Sequence, residues 1–335
     1  MVIIMLKVGL IGCGGIGAVH AKCWNSLGED VQLTAIADLD MQKAKRCAEG
    51  SEIRIYQNGF EMLEQEELDV VDICVPTFLH AKYATVAMQY VKNVIIEKPV
   101  CLNEVEARQL LEMQAHTGAL VQVGHVQRFT NTYVFLKKLV DSGKYGKVVA
   151  GNFTRISPRP LWMKGHDDIN KTGTMAFDMH IHDVDYIRYL MGGEPDYINS
   201  NAVRDKNGVV QHIWSSYHYG DTVLTVEGSW DYPAEVPFCE CYRVRLEKAA
   251  VILDSEGVVY LYTEDGKTEV FHLEDRIEMD MGINVSDMRP YLSEIQYFVD
   301  TIVKKNYQGA ASLNEAVASF RLIKKELELV GLDVK

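Results

Sequence analysis

The chain has 335 residues, a formal net charge of -13, 47% hydrophobic and 24% charged residues. That length is too great for one small core and predicts two domains, while the ordinary apolar content argues against disorder. The acidic balance argues against nucleic acid and anionic membrane as partners, because like charge repels phosphate.

Seven cysteines, an odd number with no Cys-x-x-Cys pair, fit reduced thiols in a cytoplasmic protein better than a disulfide framework. Cys239-x-Cys241 reads as two small side chains on one strand face rather than as a metal or redox pair. The apolar opening Met1 to Leu6 is short, lacks a basic leader and runs through Lys7 into a glycine turn. It is read as a first strand, not as a signal peptide or membrane span.

From Leu6 to Asp38 the order is strand, glycine turn, helix, strand. Gly12-Cys-Gly14-Gly-Ile16-Gly17 matches G-x-G-x-x-G after a strand and before a helix, where the motif is specific. The first glycine allows the tight turn, the second admits a pyrophosphate, the third lets helix and strand pack, and the helix N–H groups face the phosphates. Asp38 ends the second strand at the distance where a carboxylate meets the adenosine ribose. It accepts both hydroxyls and repels a 2′-phosphate, so NAD(H) is expected in preference to NADP(H).

Strands Asp69 to Thr77, Asn93 to Pro99 and Ala119 to Gly124 alternate with helices ending at Tyr90 and spanning Asn103 to Thr117, the latter with Asn103 as cap and Glu106 at the capping-box position. This alternation predicts a doubly wound parallel sheet that binds ligand at its carboxyl ends. Pro76, Thr77, His80, Glu97, Lys98, His125 and Arg128 stand at those ends.

After Arg128 the pattern changes. A helix from Asn131 to Ser142 and a strand from Val148 to Ser157 lead through the loop Pro158 to Thr172 into Gly173 to Gly192. Ile181, Val184, Ile187 and Met191 recur there at helical spacing, with Asp178, His182, Asp185 and Tyr189 on another face. A carboxylate beside an imidazole suits a proton acceptor near neutral pH. His180 and His182 point about 200° apart on a regular helix, so no metal site is expected from them.

Seven β-rich runs follow, between Tyr197 and Leu273, separated by the hairpin turns Lys206-Asn-Gly208, Tyr219-Gly-Asp221 and Glu264-Asp-Gly266. Such a meander predicts an open, mainly antiparallel sheet. Large groups on both faces of His212 to Tyr219 predict a homodimer or homotetramer through it. Two amphipathic helices, Tyr291 to Lys305 and Leu313 to Val330, close the chain. The expected domains are 1–125 and 126–335, with the C-terminal helices able to pack back on the first.

Together, Gly12-x-Gly14-x-x-Gly17, Glu97-Lys98-Pro99, Gly124-His-Val-Gln-Arg128-Phe and Asp178-x-x-x-His182 resemble the glucose–fructose oxidoreductase and inositol dehydrogenase (Gfo/Idh/MocA) family over nearly the whole chain. The resemblance implies a Rossmann domain, an α+β domain, and a sugar or cyclitol alcohol oxidised at their junction. It implies that Lys98 lies beside nicotinamide and substrate, with Asp178 and His182 completing the site. Removing a hydroxyl proton as hydride leaves carbon needs a proton acceptor and a group to stabilise charge on oxygen. His182 fits the first role and Lys98 the second, with Asp178 orienting them.

The cofactor-binding set is Gly12, Gly14, Ile16, Gly17, Asp38, Pro76, Thr77, His80, Glu97 and Lys98. Arg128, Arg155 and Lys164 are weaker candidates for substrate contact. Ile181-His-Asp-Val-Asp185 resembles the corresponding segment of inositol dehydrogenases, which favours a cyclitol or free sugar. Competing readings are a glycosidase that oxidises its substrate transiently with bound NAD, and a non-catalytic NAD sensor. The sensor would be expected to have lost Lys98, Asp178 or His182.

Overall fold

The computed structural model describes residues 5–28, 30–49, 52–160, 173–273, 276–278, 287–304 and 311–332. The chain divides into two compact units, one of 1–126 and 276–317, the other of 127–275 and 318–335. The loop carrying Lys164 lies outside the described residues.

In the first unit, strands β1 (Leu6–Ile11), β2 (Val31–Ala37), β3 (Arg54–Tyr56), β4 (Val70–Ile73), β5 (Asn93–Glu97) and β6 (Leu120–Gly124) form one sheet. Their order is β3-β2-β1-β4-β5-β6 and every pair is parallel. Helices α1 (Gly15–Asn25), α2 (Met41–Ala48), α3 (Gly59–Gln65), α4 (His80–Tyr90) and α5 (Glu104–Thr117) connect them. A parallel sheet covered on both faces needs near-continuous apolar strands, and Val8, Leu10, Val70, Val71, Ile73 and Val94 to Ile96 are all buried. The strand order reverses between β1 and β4, where open α/β sheets bind ligands.

Local chemistry sets the boundaries of α5. Asn103 Oδ1 accepts the Glu106 N–H at 2.9 Å, Glu106 reaches back to the Leu102 N–H at 2.8 Å, and Gly118 ends the helix at φ 67°. The elements α2, β3 and α3 lie between Asp38 and Asp69, where no element is predicted from the sequence; Asp40 caps α2, accepting the Gln42 N–H at 2.9 Å. β3 has only three residues and none is fully buried. Helix α8 (Arg289–Lys304) supplies Ile295, Phe298 and Val299 to the apolar cluster that holds β1 and α1, with Met288 beside them.

The second unit holds an eight-stranded sheet. β7 (Val148–Pro158) and β10 (Thr222–Tyr232) pair in parallel at its centre, flanked by β8 (Tyr197–Arg204), β9 (Val210–Tyr219), β11 (Cys239–Leu246), β12 (Ala249–Leu253), β13 (Val258–Thr263) and β14 (Thr268–His272). The order is β14-β13-β12-β11-β7-β10-β9-β8, and all other pairs are antiparallel. Gly208, Gly220 and Gly266 take positive φ in the predicted hairpin turns.

One face of β9 buries Ile213, Ser215 and Tyr217. The other leaves Trp214 exposed, stacked on His212 at 3.8 Å, beside a Tyr197–His218 stack at 3.9 Å. Helices α6 (Asn131–Asp141), α7 (Ile181–Met191) and α9 (Leu313–Leu329) complete the helical complement among the described residues.

Candidate functional site

The glycine turn after β1 is dictated by close approach. Gly12 sits at φ 98°, and a Cβ there would lie 2.6 Å from the Cys74 main chain; one on Gly17 would lie 1.9 Å from the Gly12 carbonyl oxygen. A Cβ on Gly14 would meet nothing within 4 Å, so the turn has an open side at its second glycine. Helix α1 starts there with no side-chain cap and no acidic residue in its first turn. Its N–H groups are therefore available to an anion.

The Asp38 carboxylate is built into the same turn. Oδ2 accepts the Cys13 N–H at 2.6 Å and Oδ1 the Asp40 N–H at 2.7 Å. Each oxygen keeps lone-pair capacity for a further donor. Open glycine edge, uncapped helix and tethered carboxylate fit a dinucleotide, with Gly12 to Gly17 for the pyrophosphate and Asp38 for the ribose.

At the ends of β4 and β5, Pro76 is exposed and Thr77 is buried at the start of a short 3₁₀ turn, Thr77–Leu79. His80 is buried, with Nδ1 2.8 Å from the Pro99 carbonyl oxygen and Nε2 2.8 Å from that of Val75. Burial pushes its pKa down even though two carbonyls favour the cation. The Lys98–Pro99 bond is cis. Lys98 is half-buried between buried Glu97 and Pro99, and its main-chain N–H donates to Glu97 Oε2 at 3.1 Å.

A group that sequence reasoning did not single out lies behind this turn. His20 Nδ1 and Trp24 Nε1 donate to Asp72 Oδ2 at 2.8 and 2.7 Å, and Cys74 Sγ donates to Oδ1 at 3.4 Å. Its signals were an aspartate interrupting an apolar strand and two ring residues four apart on α1. Burial is the largest influence on His20 and opposes its cation, but Asp72 and Cys74 together outweigh it and the pKa stands well above the ordinary value.

His20, Asp72 and Cys74 also bring metal-ligand atoms within 4.8 Å of one another. Ligands sharing a tetrahedral ion with bonds near 2 Å stand roughly 3.3 Å apart. The 2.8 Å His20–Asp72 contact is shorter and is a hydrogen bond.

In the second unit the segment before α7 departs from a regular helix. The helical run begins before Asp178, as expected, but Ala176–His180 is wound as a π turn. From Gly173 to Leu190 every residue is buried except Thr174, Asp178, His182 and Tyr189, which are half-buried. The spacing of four from Thr174 through Asp178 to His182 leaves these side chains accessible. His180 is fully buried and donates from Nε2 to Glu326 Oε2 at 2.8 Å. Gly228 makes room for it, since a Cβ there would lie 2.7 Å from His180 Nδ1.

Asp185, expected on the face of Asp178 and His182, is instead buried. It accepts Arg128 Nε and Nη2 at 2.7 Å each and Ser319 Oγ at 2.8 Å. A buried carboxylate needs such partners, and the fork of an arginine meets both oxygens at once. Arg155 is likewise buried, with Nε 2.6 Å from Asp183 Oδ2 and Nη1 2.6 Å from Glu240 Oε2. Both arginines thus hold α7 from beneath.

Residues 6–125 match a family model described as Oxidoreductase family, NAD-binding Rossmann fold, and residues 133–252 match the GFO/IDH/MocA C-terminal domain. The chain is 29% identical to myo-inositol 2-dehydrogenase of Thermotoga maritima over 295 residues, 87% of this chain and 79% of that protein. It is 32% identical to inositol 2-dehydrogenase of Rhizobium meliloti over 200 residues, 59% of this chain and 58% of that protein. A solved oxidoreductase from Agrobacterium radiobacter, in complex with NAD+, L-tartaric acid and magnesium, aligns with a TM-score of 0.83 at 17% identity, covering 98% of each chain. At that identity the likeness is one of fold. No helix among the described residues is long and apolar enough to cross a membrane.

Proposed function

Because the chain belongs to the Gfo/Idh/MocA oxidoreductase family, we propose that it transfers a hydride between NAD(H) and a secondary alcohol or ketone of a cyclitol, polyol or sugar. One observation carries the reading: Lys98, Asp178 and His182 are each half-buried among neighbours that are buried. Folding leaves these three side chains accessible while it closes over the residues beside them. The cyclitol end of the substrate range is supported by the two relatives named as inositol dehydrogenases.

Bound at Gly12, Gly14, Ile16, Gly17 and Asp38, the nicotinamide cofactor supplies the hydride acceptor or donor. The chain's own groups manage charge and protons. His182 accepts the proton of the reacting hydroxyl, Asp178 orients and polarises the imidazole, and the Lys98 ammonium stabilises charge growing on the oxygen. Arg128 and Arg155 brace the helix that carries His182, through Asp185 and Asp183. Asp38 favours NAD(H), since its carboxylate accepts ribose hydroxyls and repels a 2′-phosphate.

The exposed sheet face, with Trp214, Tyr197, Tyr262 and Val270, joins copies of the chain into a dimer or tetramer. Seven free cysteines suit a cytoplasmic setting.

The test is NADH formation across a panel of cyclitols, polyols, aldoses and sugar nucleotides, with Lys98→Met beside the wild type. Turnover of a panel member, lost in Lys98→Met while NAD+ binding stays within about threefold, is the expected result. Full activity of Lys98→Met overturns the mechanism.

A further inference from the structure

Behind the Glu97-Lys98-Pro99 turn lies a buried charge cluster that the chemistry above does not use. Asp72 and His20 are both fully buried, linked at 2.8 Å through His20 Nδ1. The other imidazole nitrogen, Nε2, stands 3.2 Å from Glu97 Oε1. This is an ion-pair contact rather than an aligned hydrogen bond, and among the described residues neither atom has a hydrogen-bond partner. The second oxygen of Glu97 accepts the Lys98 main-chain N–H at 3.1 Å. A continuous line of contacts therefore runs from Asp72 through His20 and Glu97 to the backbone of Lys98.

A neutral imidazole carries one N–H and a charged one carries two. With a carboxylate oxygen at each nitrogen, only the cation meets both with a proton. Among the described residues, the groups named against it are anionic or neutral. Asp72 and Cys74 face His20 from β4 and the residue after it, Glu97 from β5, Cys23 from α1 itself, and Glu294 reaches Cys23 from α8, whose Tyr291 ring lies 6.0 Å from the imidazole.

Two further contacts hold the turn. His80 Nδ1 lies 2.8 Å from the Pro99 carbonyl oxygen, and Gly124, opposite Glu97 on β6, leaves room for the carboxylate, since a Cβ there would lie 2.6 Å from Oε1.

We propose that His20, as an imidazolium bridging Asp72 and Glu97, is a positioning residue for Lys98, fixing the carboxylate that holds the main-chain turn from which the Lys98 ammonium is presented. This rests on the reading of Lys98 as a reaction residue. His20 touches neither substrate nor cofactor. It acts by keeping Glu97 in one rotamer, and a displacement of the order of 1 Å at a reacting group is enough to slow a reaction about 100-fold.

The experiment uses the full chain with NAD+ and myo-inositol, comparing wild type, His20→Gln and Lys98→Met. His20→Gln is expected to bind NAD+ within about threefold of wild type, to lose about 100-fold in the single-turnover rate of NADH formation, and to show a displaced pH–rate profile. A rate within about twofold of wild type with an unchanged pH profile overturns the proposal.

Should His20→Gln fail to fold, ¹⁵N-histidine spectra of the wild type decide the same question, the His20 signal being assigned through its proximity to Tyr291. Protonation of both ring nitrogens at a pH above the ordinary 6.5 of an imidazole supports the bridge, and a single protonated nitrogen there overturns it. That spectrum needs no turnover. Full activity of Lys98→Met therefore counts against the reading of Lys98, and inactivity of the wild type against myo-inositol as substrate; both are told apart from failure of the His20 bridge.

Discussion

His180 donates from Nε2 to Glu326 Oε2 at 2.8 Å, and neither side chain has any exposed surface. The pair ties the π turn of Ala176–His180 to α9. Glu326 also accepts Ser215 Oγ at 2.9 Å and Tyr217 Oη at 2.6 Å, so one carboxylate serves three donors. Burial first, and then Glu326, hold the Tyr217 phenol well above its ordinary pKa, which keeps it a donor. Glu326→Leu strands all three and is expected to cost about 3–5 kcal/mol. Glu326→Gln keeps an acceptor oxygen and should cost about 1–3 kcal/mol. Urea midpoints of the two variants measure the difference, and equal midpoints would refute this account.

Asp38 tethers the Cys13 N–H and, in the function proposed, meets the adenosine ribose of the cofactor. Asp38→Ser should therefore weaken NAD+ binding and raise the NADP+ to NAD+ ratio of kcat/KM by about 10- to 100-fold, through loss of repulsion toward a 2′-phosphate. Affinities for both nucleotides, measured side by side at fixed salt, decide it; an unchanged ratio removes Asp38 from cofactor selection.

Gly124→Ala disturbs Glu97 without altering any charged group. The added methyl would lie 2.6 Å from Oε1 of the buried Glu97 carboxylate, which can yield only by giving up its contacts with His20 and the Lys98 N–H, so stability should fall by about 1–3 kcal/mol. Activity should fall by about tenfold or more, because the displaced carboxylate no longer holds the Lys98 N–H. Gly17→Ala is different in kind. Its Cβ would meet the Gly12 carbonyl oxygen at 1.9 Å, backbone that cannot swing aside. That variant should lose NAD+ binding outright by titration calorimetry.

Two buried histidines of the first unit, His80 and His20, pull stability in opposite directions with pH. His80 is lowered from 6.5 by burial, so the unfolded chain binds its proton first on acidification; its contribution is whole above 6.5 and is lost as pH falls through the folded value. His20 is raised, against its burial, chiefly by Asp72. Its contribution is whole below 6.5 and is lost as pH rises through the folded value. Urea midpoints across pH should show the acid limb flattened in His80→Asn and the alkaline limb flattened in His20→Gln. Unchanged limbs in both variants would contradict the assignment.

Much of the first unit is legible from local pattern. The run Leu6 to Asp38 carries its strand periods and glycines in the open, and Asn103 with Glu106 writes out the start of α5. The hairpins of the second unit announce themselves at Gly208, Gly220 and Gly266. What is not legible is pairing across the chain. Asp72 and His20 are 52 residues apart, and Arg128 and Asp185 are 57 apart. A single chain carries no local trace of either contact. The π turn is hidden for another reason: the apolar stripe of Ile181, Val184, Ile187 and Met191 lies wholly in the α-helix that follows it, so nothing in that spacing reports the wider i→i+5 winding that shifts Asp178 out of phase with Asp185. Short, half-exposed β3 is missed because three residues hold too few periods to detect.

Helix α8 carries a consequence for how the chain is made. Its Ile295, Phe298 and Val299 belong to the same apolar cluster as Val8, Leu10 and Trp24. Translation proceeds from the amino terminus at about 5–20 residues per second. The nascent first unit therefore spends about 10–30 s with an apolar surface whose cover has not been synthesised. During that interval it is open to chaperones and to wrong partners, and a fragment ending near residue 126 would remain in that condition permanently.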